Sequence, residues 1–226
     1  MLEVGKKKSG KSRILAEDHS NFHETIPDKL TEGQTLALKK IFSSMEEENP
    51  KPVYLHGITG SGKTEMYLRF LEALILKGRQ ALFLVPEIGL TPQLLGRVQA
   101  RIGEAVAVYH SSLTETQRIE EWEKMREGKV HVVVGTRSAL FAPFERLGGI
   151  VIDEEHDSSY KQEERFCYNA RDLALWRGKE EAATVVLGSA TPSLESLHRV
   201  RGGKMILLEL TRRPEGVHLP EIRLID

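Results

Sequence analysis

The sequence predicts an α/β fold: a mostly parallel sheet with helices on both faces. Three observations carry that prediction. Short apolar runs alternate with segments of helical periodicity along residues 53–210, the pattern of strands buried on both faces and joined by crossover helices. A glycine-rich loop, GITGSGKT at 57–64, joins the first apolar run to a helix. The apolar run 149–152 ends in three acids and a histidine: Asp153, Glu154, Glu155 and His156.

In chain order, residues 1–24 are polar, with a basic cluster at Lys6, Lys7, Lys8, Lys11 and Arg13. Residues 5–12, GKKKSGKS, match the phosphate-loop pattern formally. MLEV before them is a poor strand, RILAEDHSN after them lacks a sustained helical face, and the lysines inside the loop would repel one another. The expectation for 1–25 is therefore a basic tail or the end of a preceding domain. A helix follows, with Thr31 as N-cap, Glu32 in its first turn, and Leu38, Ile41, Phe42 and Met45 on its apolar face. Asn49-Pro50 stops it.

Strands are expected at 53–56, 81–85, 105–109, 130–134, 149–153, 184–187 and 205–210. Helices are expected at 65–77, 92–102 (begun by Pro92), 114–127, 169–181 and 192–200. In such sheets ligands gather beyond the carboxyl ends of the strands. The unusual polar segments all follow strands: PEIGLTPQ at 86–93, HSS at 110–112, GTRSALFAPF at 135–144 and GSATP at 188–192.

The loop at 57–64 sits between a strand and a helix, the context a phosphate site needs. Its glycines let backbone N–H groups converge on phosphate, and the helix N-terminus adds positive potential. Gly57, Thr59, Gly60, Ser61, Gly62, Lys63 and Thr64 are the candidate nucleotide residues. Lys63 is expected to reach the β- and γ-phosphates, and Thr64 to ligate Mg²⁺. A strand ending in adjacent carboxylates supplies a Mg²⁺-side acid and a water-orienting base. After it comes a polar loop carrying Tyr160, Phe166 and Tyr168; aromatics among charges stack on unpaired bases. Trp122 and Trp176 are expected to pack in helices.

Composition excludes several alternatives. The 226 residues carry a net charge of −1, so any nucleic-acid contact relies on local patches. One cysteine, Cys167, allows neither an intrachain disulfide nor a cysteine zinc site, and no histidine pair has helical metal-binding spacing with a carboxylate. No apolar run approaches the roughly 18 residues of a membrane span, and the N-terminus lacks a signal-peptide core. These point to a reducing cytoplasm and no membrane.

Residues 57–64, 153–156 (the DEEH form) and 189–191 resemble motifs I, II and III of superfamily 2 helicases. The longer words PEIGLTPQ, GTRSALF, VIDEEHDSSYKQ and the ARD at 170–172 resemble the primosomal replication-restart helicase family over residues 30–213. That resemblance implies a RecA-like P-loop NTPase lobe at 26–210, the first motor lobe of an ATP- and Mg²⁺-dependent DNA helicase. It implies that Gln34 reads adenine. It gives Lys63, Asp153, Glu154 and His156 the catalytic roles, with Thr64 and Asp153 at Mg²⁺. The DNA-facing and coupling positions it implies are Pro86, Glu87, Thr91, Gln93, Thr136, Arg137, Ser138, Tyr160, Lys161, Phe166, Tyr168, Arg171, Ser189 and Thr191. The partners it implies are single-stranded and forked DNA, a second RecA-like lobe, an N-terminal DNA-binding domain, primosome proteins and single-stranded-DNA-binding protein, in the bacterial cytoplasm at the nucleoid.

The sequence departs from the family where a tryptophan–arginine pair is common, since Phe166 and Cys167 stand there. Residues 211–226 are expected to begin a linker to a second lobe. Zinc is expected only in that absent part, and no zinc ligands are expected in this chain. A lobe without its partner's arginine finger is expected to be nearly inactive, because such a loss costs about 10³–10⁵ in rate. The alternatives are a P-loop switch or protein-binding module without motor activity, and a RecG- or RecQ-like helicase lobe.

Overall fold

The computed structural model describes residues 29–164 and 166–212. The GKKKSGKS match, the proposed tail at 1–25, Arg165 and all but the first two residues of the expected linker lie outside the described residues.

The first helix, α1 (Glu32–Ser44), opens with a capping box. The Thr31 side chain accepts from Gln34 N, and the Gln34 side chain accepts from Thr31 N. Strand β1 (Val53–Gly57) runs through the phosphate loop into α2 (Lys63–Leu76). There follow β2 (Gln80–Leu84), α3 (Pro92–Ile102), β3 (Val106–Tyr109), α4 (Glu115–Arg126), β4 (Val132–Gly135) and β5 (Leu147–Ile152). A small antiparallel pair comes next, β6 (Lys161–Gln162) and β7 (Tyr168–Asn169), then α5 (Ala170–Glu180), β8 (Thr184–Ser189), α6 (Leu194–Arg201) and β9 (Ile206–Leu210).

The main sheet has seven strands in the order β3-β4-β2-β5-β8-β1-β9, and every pairing in it is parallel. Successive residues of one strand feed two cores. Val53 and Leu55 join α1, α2 and α3 on one face, and Tyr54 joins α5 on the other. That is why the strands read as unbroken apolar runs rather than alternating ones. Helix α2 is nearly buried all round, with Met66, Tyr67, Leu68, Phe70, Leu71 and Leu74 inside. It is wedged between the sheet and its neighbours α1 and α3.

Three differences from the sequence expectation have physical causes. Helix α6 begins at Leu194 rather than Pro192, because the Ser193 hydroxyl caps Ser196 N. Thr191 therefore caps nothing, whereas Thr91 does cap α3 by accepting from Leu94 N. Trp176 is 57% exposed on α5 and does not pack, while Trp122 rests against Tyr109. The paired strands β6 and β7 were not visible in the sequence, since two-residue strands carry no periodicity.

Candidate active site

The phosphate loop bridges β1 and α2 with little freedom. Gly62 is left-handed (φ +89), and a Cβ there would overlap the Gln34 side-chain amide. Glycine is the residue that accepts both constraints. The Gln34 amide donates to Ser61 O at 2.9 Å, so the first turn of α1 is stitched to the loop. Lys63 is buried at the start of α2, and its ammonium donates to Gly57 O at 2.8 Å.

Strand β5 delivers the acids to the same place. Lys63 Nζ lies 3.6 Å from Glu154 Oε1. Asp153 Oδ1 accepts from Tyr67 OH at 3.1 Å and from Glu154 N at 3.0 Å. Burial, and then the neighbouring Glu154 charge, raise the Asp153 carboxyl above its ordinary range; the Tyr67 hydrogen bond and the Lys63 charge oppose them. Glu154 itself has φ +44, a conformation uncommon outside glycine. Its Oε2 accepts from Ser189 Oγ at 3.1 Å, across the neighbouring strand β8.

These groups line one cleft of about 370 Å³. Gln34, Thr59, Gly60, Gly62, Lys63, Thr64, Asp153 and Glu154 all border it, joined by Lys29 and Arg97. The cleft fits a magnesium nucleotide by its chemistry: an ammonium, a hydroxyl and two carboxylates face one space. The Ser61 hydroxyl, buried in the loop, has no hydrogen-bond partner among the described residues.

From Glu154 a polar chain leads outward. His156 Nδ1 and Ser189 Oγ are 2.7 Å apart. Ser189 Oγ also accepts from Thr191 N at 2.9 Å, and Thr191 Oγ1 lies 3.4 Å from the His156 ring nitrogens. The structure thus brings the three motifs together, with His156 and Thr191 on the exposed side.

The remaining segments lie farther along the same carboxyl edge. Glu87, Thr91 and Gln93 are exposed, while Pro86 and Thr136 are buried. Arg137 Nη1 donates to Ser159 O and Lys161 O, which ties the turn after β4 to the aromatic loop. The Ser138 hydroxyl is buried without a hydrogen bond among the described residues. Lys161 is exposed beside Glu163, and Phe166 is 72% exposed. Tyr168 is half-buried, with its ring against Phe141 and Phe166.

In the aromatic-loop segment, two positions expected at DNA or in coupling, Tyr160 and Arg171, are buried. Tyr160 is 1% exposed, and its hydroxyl donates to Asp153 O at 2.6 Å, so it buttresses the acid turn from beneath. Arg171 is 6% exposed, with Nη1 donating to Glu155 Oε2 at 3.2 Å and to Ser193 Oγ at 2.8 Å. Both side chains point into the protein, Tyr160 toward the Asp153 carbonyl and Arg171 toward Glu155 and Ser193.

Sequence reasoning missed Tyr67, Tyr54, Lys29 and Arg97. For Tyr67 a signal existed: a tyrosine inside an otherwise apolar helix face needs a partner for its hydroxyl. Arg97, in the second turn of α3, gave none, since only the packing of α3 beside α2 turns it toward the cleft.

Comparison with known proteins agrees with this geometry. The chain is 48% identical to the replication restart protein PriA of Bacillus subtilis over 205 residues, 91% of this chain and 26% of that protein. It is 52% identical to PriA of Haemophilus influenzae over 159 residues, 70% of this chain and 22% of that protein. The chain thus spans about a quarter of the length of the curated relatives it matches. Among solved structures, RecG bound to a three-way DNA junction superposes with a TM-score of 0.61 at 26% identity, over 84% of this chain and 25% of that one. The fold is that of a RecA-like helicase lobe. Residues 31–200 match the DEAD/DEAH box helicase model, and the chain belongs to that family, whose motors use ATP and Mg²⁺.

Proposed function

We propose that this chain is the first motor lobe of an ATP-dependent DNA helicase of the replication-restart kind, coupling hydrolysis to movement along single-stranded DNA at stalled forks. The observation that carries the reading is continuity. Lys63, Asp153 and Glu154 share one cleft, and Ser189, His156 and Thr191 lead from it without a break toward the exposed edge. Similarity to the PriA proteins along 91% of the chain supports the same assignment.

In this reading the backbone of the phosphate loop and Lys63 bind the phosphates, and Gln34 recognises adenine beside them. Thr64 and Asp153 hold Mg²⁺, which when bound neutralises charge on the phosphate oxygens. Glu154 orients the attacking water and accepts its proton. Its carboxylate is already fixed between Lys63 and Ser189, so little reorganisation is left for the reaction. Asp153 is anchored by Tyr67 OH and by the Glu154 N–H, both of which donate to Oδ1. Phe166 and Tyr168 offer faces to unpaired bases, and Glu87, Thr91, Gln93, Lys161 and the turn bearing Arg137 border the strand's path.

The partners in this reading are single-stranded and forked DNA, a second RecA-like lobe that completes the ATP site, an N-terminal DNA-binding domain, primosome proteins and single-stranded-DNA-binding protein. Zinc belongs to regions outside this chain, and the site of action is the nucleoid. Lys63→Ala in the full-length protein is expected to abolish ATPase and unwinding while DNA binding persists. Unwinding that survives the change would sink the assignment. ATPase indifferent to single-stranded DNA would favour a switch module instead.

A further inference from the structure

Within the acid turn, the nucleotide machinery leaves one buried acid without a role: Glu155, its third residue. Its side chain is fully buried, yet it sits one residue from Glu154. Five donors converge on its two oxygens. Oε1 accepts from Tyr54 OH at 3.1 Å and Ser193 N at 2.9 Å. Oε2 accepts from Arg171 Nη1 at 3.2 Å, Ser193 Oγ at 2.9 Å and Ser196 Oγ at 3.0 Å. These donors come from β1, from the first turn of α5 and from the start of α6. Its backbone N–H donates to Gly188 O in β8 at 3.1 Å.

A buried ion pair such as Glu155–Arg171 is weak evidence for stability, since replacing both partners by apolar groups is often neutral. This one instead joins the elements that carry the acid turn, the SAT segment and the end of the aromatic loop. Arg171 lies three residues past Tyr168, in the first turn of α5, which leads directly from the aromatic loop. Arg171 is itself pinned to Ser193, between the SAT segment and α6. Glu154, next to Glu155 in the chain, is held in a left-handed conformation.

We propose that Glu155 is a positioning residue: its buried pair with Arg171 relays the position of the aromatic loop to the Glu154 carboxylate. The proposal rests on the motor reading given above. The test uses the full-length protein that carries this sequence, measuring ATP hydrolysis with and without single-stranded DNA, together with thermal melting. Glu155→Gln and Arg171→Met are each expected to cut the ratio of DNA-stimulated to basal kcat at least about tenfold, since small misplacements of a reacting group have effects of that size. The KM for ATP stays within about twofold, because neither side chain lines the cleft.

Either variant alone also lowers the melting temperature, so the double variant Glu155→Gln/Arg171→Met is the arbiter. It removes both charges together, and its melting temperature is expected to move back toward that of the unmodified protein while stimulation stays lost. Stimulation that survives in Glu155→Gln, or that returns in step with the melting temperature, overturns the relay. Unmodified protein that shows no stimulation by single-stranded DNA would instead overturn the motor reading, and the relay with it. That outcome is read before any variant is made.

Discussion

Tyr67→Phe removes one oxygen from the buried face of α2 and tests how Asp153 is held. The Tyr67 hydroxyl is 3.1 Å from Asp153 Oδ1. It is itself fixed, since a Cβ on Gly188 would overlap it. A hydrogen bond to a charged group contributes about 1.5–3 kcal/mol. Its loss pushes the Asp153 carboxyl further up, beyond the elevation that burial and Glu154 already cause.

The sign follows from that elevation. A carboxyl whose folded pKa lies above its unfolded value of 3.8 favours the fold when protonated and loses that contribution as pH rises through the folded pKa. The Tyr67→Phe deficit is therefore full at neutral pH and shrinks toward acid. At ~2–4 °C per kcal/mol the neutral deficit is about 3–12 °C. Two assays read it: melting curves from neutral pH down past 3.8, the unfolded value of the Asp153 carboxyl, and fluorescent-nucleotide titrations with Mg²⁺ over the same range. Nucleotide affinity in the variant weakens at a higher pH than in the unmodified chain, because the proton competes with the metal for the same carboxylate. A deficit of equal size at every pH, with parallel nucleotide profiles, would refute the idea that this hydroxyl stabilises the charged acid.

Four further outcomes are expected. Gly62→Ala forces a side chain into a left-handed position against Gln34, and nucleotide affinity falls at least about tenfold by titration, a loss of about 1.4 kcal/mol. Arg101→Met removes the guanidinium that donates to Glu65 at 3.1 Å and to Glu72 at 2.6 Å, while Arg69 still pairs with Glu65 at 2.6 Å. The loss in denaturant unfolding is therefore expected to fall below the ~3–5 kcal/mol of a buried charge left without any partner. Burial would raise Glu155, but hydrogen bonds from Ser193, Arg171 and Ser196 prevail and hold it below 4.5; the stability it supplies is present above pH 4.5 and is lost as pH falls below it, a step that Glu155→Gln removes from the acid-unfolding curve. Phe166→Ala changes stability by no more than about 0.5 kcal/mol, since the ring is exposed, yet weakens DNA-stimulated hydrolysis more than basal hydrolysis; equal loss of both would make the loop merely structural.

The sequence by itself determined the parallel α/β lobe, the phosphate loop and the pair of acids at the end of β5. Each is a local matter. Apolar runs register burial on both faces of a strand, glycine registers a backbone that a Cβ would block, and capping residues mark helix starts. Thr31, Thr91 and Gly62 all do what their residue types imply. What a polar side chain faces is not local. Tyr160 and Arg171 stand among charges in the chain, in a stretch that reads as an exposed loop, and only the fold turns them inward. There Tyr160 meets Asp153 O and Arg171 meets Glu155. Tyr67 and Asp153 are 86 positions apart, and Tyr54 and Glu155 are 101 apart. Those pairings exist because β1, β8 and β5 lie side by side, with α2 packed across them. Strand order is decided by long-range packing, which no run of neighbouring residues records. The acid turn was visible from the sequence as a source of chemistry. Only the tertiary structure divided it into Asp153 and Glu154 at the cleft and Glu155 buried behind them, because that division depends on which neighbouring strands and helices supply hydrogen-bond donors.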